Sequence, residues 1–262
     1  MTRPPVAAKH EFGQHFLIDE NIVRVIGRLS GLRAEDVVLE VGPGLGVLTA
    51  FLADRVALVH AVEVDRSLEP HLAERLAGRP NVRVLFGDAL ALDLGSLVPE
   101  PTKLVANLPY SVATPIVVES LDGLTSLRLW CVMVQREVAD RFFASPGTKA
   151  YGAVSVLVQL AAERTGFHPV SREVFRPRPN VESALVAFRR RSPLLERYTT
   201  VKDVVEGAFA HRRKTLPNSL DLAGIASRGR AADALAALGK PPSIRAEALA
   251  PEEFVALAKL LA

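Results

Sequence analysis

The chain has 262 residues, of which 49% are hydrophobic and 23% charged, with a formal net charge of +3. This is enough apolar material for a sizeable core, in one large domain or one domain with an appendage, and it excludes a disordered chain. One cysteine, Cys131, excludes an internal disulfide framework, and six scattered histidines offer no metal-ligand spacing.

No apolar stretch is long enough to span a bilayer, and residues 1–10 lack the apolar core of a signal peptide, so a cytoplasmic protein is expected. The mildly basic balance permits a nucleic-acid partner without demanding one. Lys9 to Asp19 read Lys-His-Glu-Phe-Gly-Gln-His-Phe-Leu-Ile-Asp, with Phe12, Phe16 and Leu17 placed to anchor the segment on a core. Asp19 then caps an expected helix from Glu20 to Ser30, with Ile22, Val23, Ile26 and Leu29 on one face.

A β-branched run from Val37 leads into Gly42, Gly44 and Gly46, and an amphipathic helix from Val47 to Arg55 follows. Glycines let a ligand approach the backbone where any Cβ would collide. The next strand, Ala57 to Val64, carries Glu63 at its end, about 20 residues beyond the first glycine, where a ribose diol is usually held. A dinucleotide fingerprint would want glycine where Val47 stands. The Gly-x-Gly-x-Gly spacing resembles S-adenosylmethionine-dependent methyltransferases instead, whose ligand has no pyrophosphate to cradle.

Val82 to Phe86 is a third strand, with Asp88 beyond its end. That carboxylate could accept from an adenine amine, or could close an Asx turn. The stretch Lys103-Leu-Val-Ala-Asn-Leu-Pro-Tyr110 is a fourth strand stopping at a polar turn. A helix from about Ile116 to Leu121 and a fifth strand, Leu127 to Gln135, follow. This order implies an α/β fold with a mainly parallel, doubly wound sheet, whose ligands lie beyond the carboxyl ends of the strands.

The Asn107–Tyr110 turn fits one chemical problem. The exocyclic amine of adenine is a poor nucleophile because its lone pair is delocalised into the ring. The Asn107 side-chain oxygen and the Leu108 carbonyl could take its two hydrogens and leave the lone pair aimed outward. Pro109 stiffens the turn, and Tyr110 could stack on the base. An ordinary Asn-x-Pro loop with a core tyrosine would have the same four residues.

Glu137 to Phe143 reads as helix, and Gly152 to Ala162 as either helix or strand. Thr165 to Val170 and Val181 to Phe188 read as late strands. The loop between them displays Arg176 and Arg178, and its Phe175 is either a second stacking ring or a core plug. From about Ser192 the chain turns helical, which places a boundary near Arg190: a domain of residues 1–190 and a small all-helical domain of residues 191–262. Basic groups cluster at residues 189–191 and 211–214.

Seven motifs, taken together in this order, resemble rRNA adenine N6,N6-dimethyltransferases. They are Gly13-Gln-His-Phe-Leu17, Glu40-Val-Gly-Pro-Gly-Leu-Gly46, Glu63-Val-Asp65, Gly87-Asp-Ala-Leu90, Asn107-Leu-Pro-Tyr110, Phe175-Arg-Pro-Arg-Pro-Asn-Val-Glu-Ser183 and Arg212-Arg-Lys-Thr-Leu-Pro-Asn-Ser-Leu220. The resemblance runs from about residue 9 to the end of the chain. It implies a Rossmann-like class I methyltransferase fold. His15, Leu17, Gly42, Gly44, Glu63, Asp88 and Asn107 would contact S-adenosylmethionine. Asn107, Leu108, Pro109, Tyr110 and Phe175 would act on the target base, with the two rings sandwiching it.

The residue 212–220 block and the ending Arg245-Ala-Glu-Ala-Leu-Ala-Pro-Glu-Glu-Phe254 resemble the small-subunit branch rather than the macrolide-resistance branch that modifies large-subunit rRNA. The implied substrate is a pair of adjacent adenosines in the 3′-terminal hairpin loop of small-subunit rRNA, within an immature subunit, gripped in part by the helical domain. A monomer is expected. A DNA adenine or glutamine methyltransferase is disfavoured by Leu108, where a proline usually stands. A non-catalytic assembly factor is disfavoured by the intact Asn107–Tyr110 turn.

Overall fold

The computed structural model describes residue 9 and residues 13–191 and 198–262. Phe12, expected as an anchor, lies outside them. The chain enters through β1 (Phe16–Leu17) and α1 (Glu20–Ser30). The Asp19 carboxylate accepts the Asn21 and Ile22 N–H groups at the start of α1, and Gly31 closes its end with a left-handed φ of 50°. The face carrying Ile22, Val23 and Ile26 is buried.

Two strand–helix units follow, β2 (Val37–Val41) with α2 (Val47–Ala53) and β3 (Leu58–Glu63) with α3 (Glu69–Arg75), and then the strand β4 (Val82–Phe86). β5 (Lys103–Asn107), α4 (Ala113–Gly123) and β6 (Leu129–Gln135) complete the parallel part of the sheet. Every residue of β2 and β3 is buried, as expected of strands covered on both faces. α5 (Arg136–Phe142) and α6 (Ala153–Ala161) precede β7 (Ala162–Val170), β8 (Phe175–Arg176) and β9 (Ser183–Arg190). The stretch from Gly152 to Ala162 is thus helical over Ala153–Ala161, with Ala162 already extended as the first residue of β7. A helix apolar on most faces carries no period in its sequence to distinguish it from a buried strand.

The main sheet has the order β4-β3-β2-β5-β6-β9-β7, parallel from β4 through β6, with β9 antiparallel to β6. β1 and β8 form a separate two-stranded antiparallel pair. Succession reverses between β2 and β5: β3 and β4 lie to one side, β6 to the other. The carboxyl ends of these two strands therefore flank the crevice where such sheets bind ligands.

Lys103, the first residue of β5, is buried. Its ammonium meets the Asp36 carboxylate at 2.7 Å and the Ser30 and Gly31 carbonyls at 3.1 and 2.6 Å, tying the end of α1 to the sheet. Arg190 is equally structural. Its guanidinium donates to the Leu121, Leu124 and Leu127 carbonyls and lies over the Trp130 ring. The run of arginines at 189–191 is thus not wholly a displayed basic cluster.

The chain divides into two compact units, residues 1–139 with 164–190 and residues 140–163 with 191–262. Residues 140–163, assigned from sequence to the first domain, thus pack in the second unit. The buried Tyr151 explains this: its hydroxyl donates to the Leu249 carbonyl at 2.8 Å, and its ring meets Phe209, which in turn meets Phe254. The second unit otherwise consists of α7 (Tyr198–Phe209), α8 (Leu216–Leu222), α9 (Arg228–Ala237) and α10 (Pro251–Leu261). Among the described residues no helix is long and apolar enough to cross a membrane.

Candidate active site

A cleft open to solvent lies in the first unit at the reversal point. Its floor is the turn after β2. Gly42, Gly44 and Gly46 all have left-handed φ, at 75°, 57° and 75°, so side chains there would be strained. A Cβ on Gly42 would also lie 3.2 Å from Pro109, and one on Gly44 3.1 Å from Phe16. The glycine turn thus touches both the Asn107–Tyr110 turn and the N-terminal segment.

Glu63 ends β3 and closes onto that turn. Its carboxylate accepts the Gly44 and Asp65 N–H groups, each at 3.0 Å. Burial raises its pKa, and the two backbone donors oppose the rise. Each oxygen of this carboxylate keeps acceptor capacity for a ligand hydroxyl.

Sequence reading placed Glu40, the one acid in the apolar run of β2, in a recognised motif but gave it no role. It lines the cleft, is 1% exposed, and its Oε2 has no hydrogen-bond partner among the described residues. Burial pushes its pKa up to about 8, and the Glu63 carboxylate adds to this. The Thr49 hydroxyl offsets part of the effect, but no hydrogen bond of normal geometry joins the two groups. A lone carboxylate inside an otherwise apolar strand was the available signal.

The turn after β5 presents its polar groups into the same cleft. Asn107 Nδ2 donates to the His15 carbonyl at 3.2 Å, leaving Oδ1 as the acceptor end. The Leu108 N–H is held by the Met133 carbonyl at 3.1 Å. Tyr110 is half-buried, its hydroxyl 2.6 Å from Ser183 Oγ and its ring centroid 5.5 Å from that of His15. Burial raises the Tyr110 pKa, so its hydroxyl stays protonated and polar without charge.

His15 and Leu17 reach the cleft as expected, from the segment that leads into β1. His15 Nδ1 meets the Pro177 carbonyl at 2.8 Å. Two candidates are placed elsewhere. Asp88 is exposed, accepts the Leu90 N–H at 2.9 Å in an Asx turn, and is not among the residues lining the cleft. Phe175 is fully buried in the core with Leu17, Ile22 and Val23, paired across β1–β8 with Leu17. The sandwich of Tyr110 and Phe175 is therefore not formed in this conformation, and Phe175 is a core ring.

The family model for ribosomal RNA adenine dimethylase matches residues 6–261. The chain belongs to this family. A ribosomal RNA small subunit methyltransferase A from Rubrobacter xylanophilus is 50% identical over 95% of this chain and 93% of its own length. Among solved structures, a dimethyladenosine transferase from Plasmodium falciparum superposes with a TM-score of 0.79 at 24% identity, over 93% of this chain and 96% of that one. The 23S rRNA methyltransferase ErmE superposes at 0.68 with 30% identity, over 94% and 99%. An rRNA adenine dimethylase is a methyltransferase, and these superpositions give the chain the class I methyltransferase fold, with a Rossmann-like sheet and a helical C-terminal region.

The cleft fits the methyl donor that such enzymes use. The left-handed glycine turn gives close backbone approach, Glu63 offers acceptors to a ribose, and Glu40, which lines the cleft, has a carboxyl oxygen without a partner among the described residues that suits a cationic group.

Proposed function

We propose that this protein transfers methyl groups from S-adenosylmethionine to N6 of two adjacent adenosines in the 3′-terminal hairpin loop of small-subunit rRNA, giving N6,N6-dimethyladenosine. The acceptor is the immature small subunit, and the protein acts as a monomer in the cytoplasm. The identity to the Rubrobacter relative supports the small-subunit assignment over the large-subunit one, since the ErmE structure is more distant. The exposed residues 211–214 suit contact with an RNA backbone.

The observation that carries the chemistry is the hydrogen bond from Asn107 Nδ2 to the His15 carbonyl. With its donor end engaged, Asn107 offers its oxygen to the target amine. The Leu108 carbonyl sits next along the turn as a second acceptor. Two acceptors on the amine hydrogens favour a pyramidal nitrogen with its lone pair exposed. The sulfonium, when bound, supplies an electrophilic methyl carbon. Displacement at that carbon needs alignment more than a strong base.

Tyr110 stacks on the base, and Pro109 holds the turn rigid. The adenosine must leave any stack to enter, which a hairpin loop makes cheaper than a duplex. The nitrogen loses its proton after transfer, to solvent, because the Asn107–Tyr110 turn contains no basic side chain.

Asn107→Ala tests the role of the amide. It should lower methyl transfer by two to three orders of magnitude, on the scale of removing one aimed hydrogen-bonding group from a reacting centre. RNA binding and much of the cofactor binding should remain. Normal turnover by this variant would remove Asn107 from the mechanism.

A further inference from the structure

We infer that Asp65 is a positioning residue for methyl transfer, acting through Gln14 and the His15 carbonyl to aim the Asn107 amide. This rests on the reading that Asn107 accepts from the target amine. Asp65 lies two residues beyond Glu63 and is 3% exposed. Its side chain makes no approach to the cleft; it faces the N-terminal segment.

Asp65 Oδ2 accepts Gln14 Nε2 at 2.9 Å. Its Oδ1 accepts the Lys9 ammonium at 2.7 Å, the Ser67 N–H at 3.0 Å and the Ser67 hydroxyl at 2.7 Å. Burial opposes ionisation, yet the donors from Lys9, Ser67 and Gln14 hold this carboxyl well below the usual carboxylate range. Gln14 uses its other end as well, since its Oε1 accepts the Lys9 N–H at 2.8 Å. The Gln14 side chain is therefore fixed at both ends.

The next residue is His15, whose carbonyl takes Asn107 Nδ2. Beyond it, Phe16 and Leu17 pair with Arg176 and Phe175, and the Ile18 N–H donates to the Val174 carbonyl. The segment is thus pinned at Asp65 on one side and at β8 on the other. The one main-chain carbonyl that holds the Asn107 amide lies between the two pins. Removing the Asp65 pin leaves β1 paired and the His15 ring on the Pro177 carbonyl, but it releases Gln14, the residue directly before His15, and so lets the His15 carbonyl shift. Asn107 Oδ1 then loses its aim, and a misplacement of about 1 Å at a reacting centre costs on the order of a hundredfold in rate.

Asp65 also links the two halves of the cleft. Its N–H donates to Glu63 Oε1 while its side chain holds Gln14. Cofactor side and target side are therefore set by one residue.

The experiment measures single-turnover methyl transfer from a preformed, cofactor-saturated complex to whichever rRNA acceptor the wild-type protein methylates. The variants are Gln14→Ala, Asp65→Asn, and Asp65→Asn combined with Gln14→Glu. The double change exchanges donor and acceptor: the new amide donates to the new carboxylate, which still accepts the Lys9 N–H, and total charge is unchanged. Both single variants should slow the saturated step by about tenfold to a hundredfold, and the double variant should recover most of it.

A purely structural role would lower the melting temperature or weaken cofactor affinity and leave the saturated rate unchanged; that result overturns the inference. If Asp65→Asn fails to fold, Gln14→Ala decides alone, since it truncates a partly exposed side chain outside any helix or strand. Asn107→Ala is run beside them. If it is inactive while the Gln14 and Asp65 variants run at wild-type rate, only this inference falls. If it is itself active, the reading of the Asn107 amide falls with it.

Discussion

Glu40→Gln gives a sharp quantitative test of the cleft's electrostatics. Glu40 is 1% exposed with an orphaned oxygen, and its pKa stands at about 8 against an ordinary 4.5. Because the folded value lies above the unfolded one, folding takes up a proton at intermediate pH. The destabilising effect is absent below about 4.5, grows as pH rises, and is complete above about 8. The full gap corresponds to roughly 5 kcal/mol at most, of which about 2 kcal/mol is lost between pH 6 and pH 8.

Glutamine keeps the size of the neutral acid and carries no such charge. In ligand-free protein the melting temperature of the wild type should therefore fall relative to Glu40→Gln by about 4–8 °C between pH 6 and pH 8, at roughly 2–4 °C per kcal/mol for a chain near this size. Urea unfolding at pH 6, 7, 8 and 9 supplies the free energies. Parallel pH profiles for the two proteins would refute the reasoning, and so would a Gln variant that loses ground as pH rises.

Glu63→Ala should weaken S-adenosylmethionine binding by more than about 30-fold, because it removes ribose acceptors and also releases the Gly44 and Asp65 N–H groups; calorimetric titration reads it, and unchanged affinity would remove Glu63 from the pocket. Gly42→Ala combines a left-handed φ of 75° with a Cβ 3.2 Å from Pro109. It should cost about 1–2 kcal/mol of stability from the backbone alone and slow methyl transfer by displacing the Asn107–Tyr110 turn; a variant with wild-type melting temperature and rate would show that the two turns do not constrain each other.

The parallel strands were legible because strands buried on both faces leave nearly continuous apolar runs: Val37–Val41 is broken only by Glu40, and Leu104 to Ala106 lies between the polar ends Lys103 and Asn107. The capped helix from Glu20 to Ser30 was legible for the opposite reason, an apolar face with a polar cap. The glycine turn and the Asn107–Tyr110 turn announced themselves because few other residue types can occupy them. What escaped depended on distant partners. β1 and β8 are two residues each and exist only because they pair across about 160 residues of chain. Residues 140–163 belong with the second unit through Tyr151, whose partners lie far along the chain. Phe175 was read as either ring or plug, and only its packing against Leu17 and Ile22 distinguishes them. Asp65 stood in a recognised motif, but its role comes from Lys9 and Gln14 folding back onto it.

The central claim is the identity of the acceptor. The most direct measurement is transfer of labelled methyl from S-adenosylmethionine to two purified acceptors, undermethylated small-subunit particles and protein-free large-subunit rRNA, with the product digested and read for N6,N6-dimethyladenosine. The account predicts label on adjacent adenosines of the small-subunit particle. Label on the large-subunit RNA alone, or none on either with cofactor still bound, would contradict it.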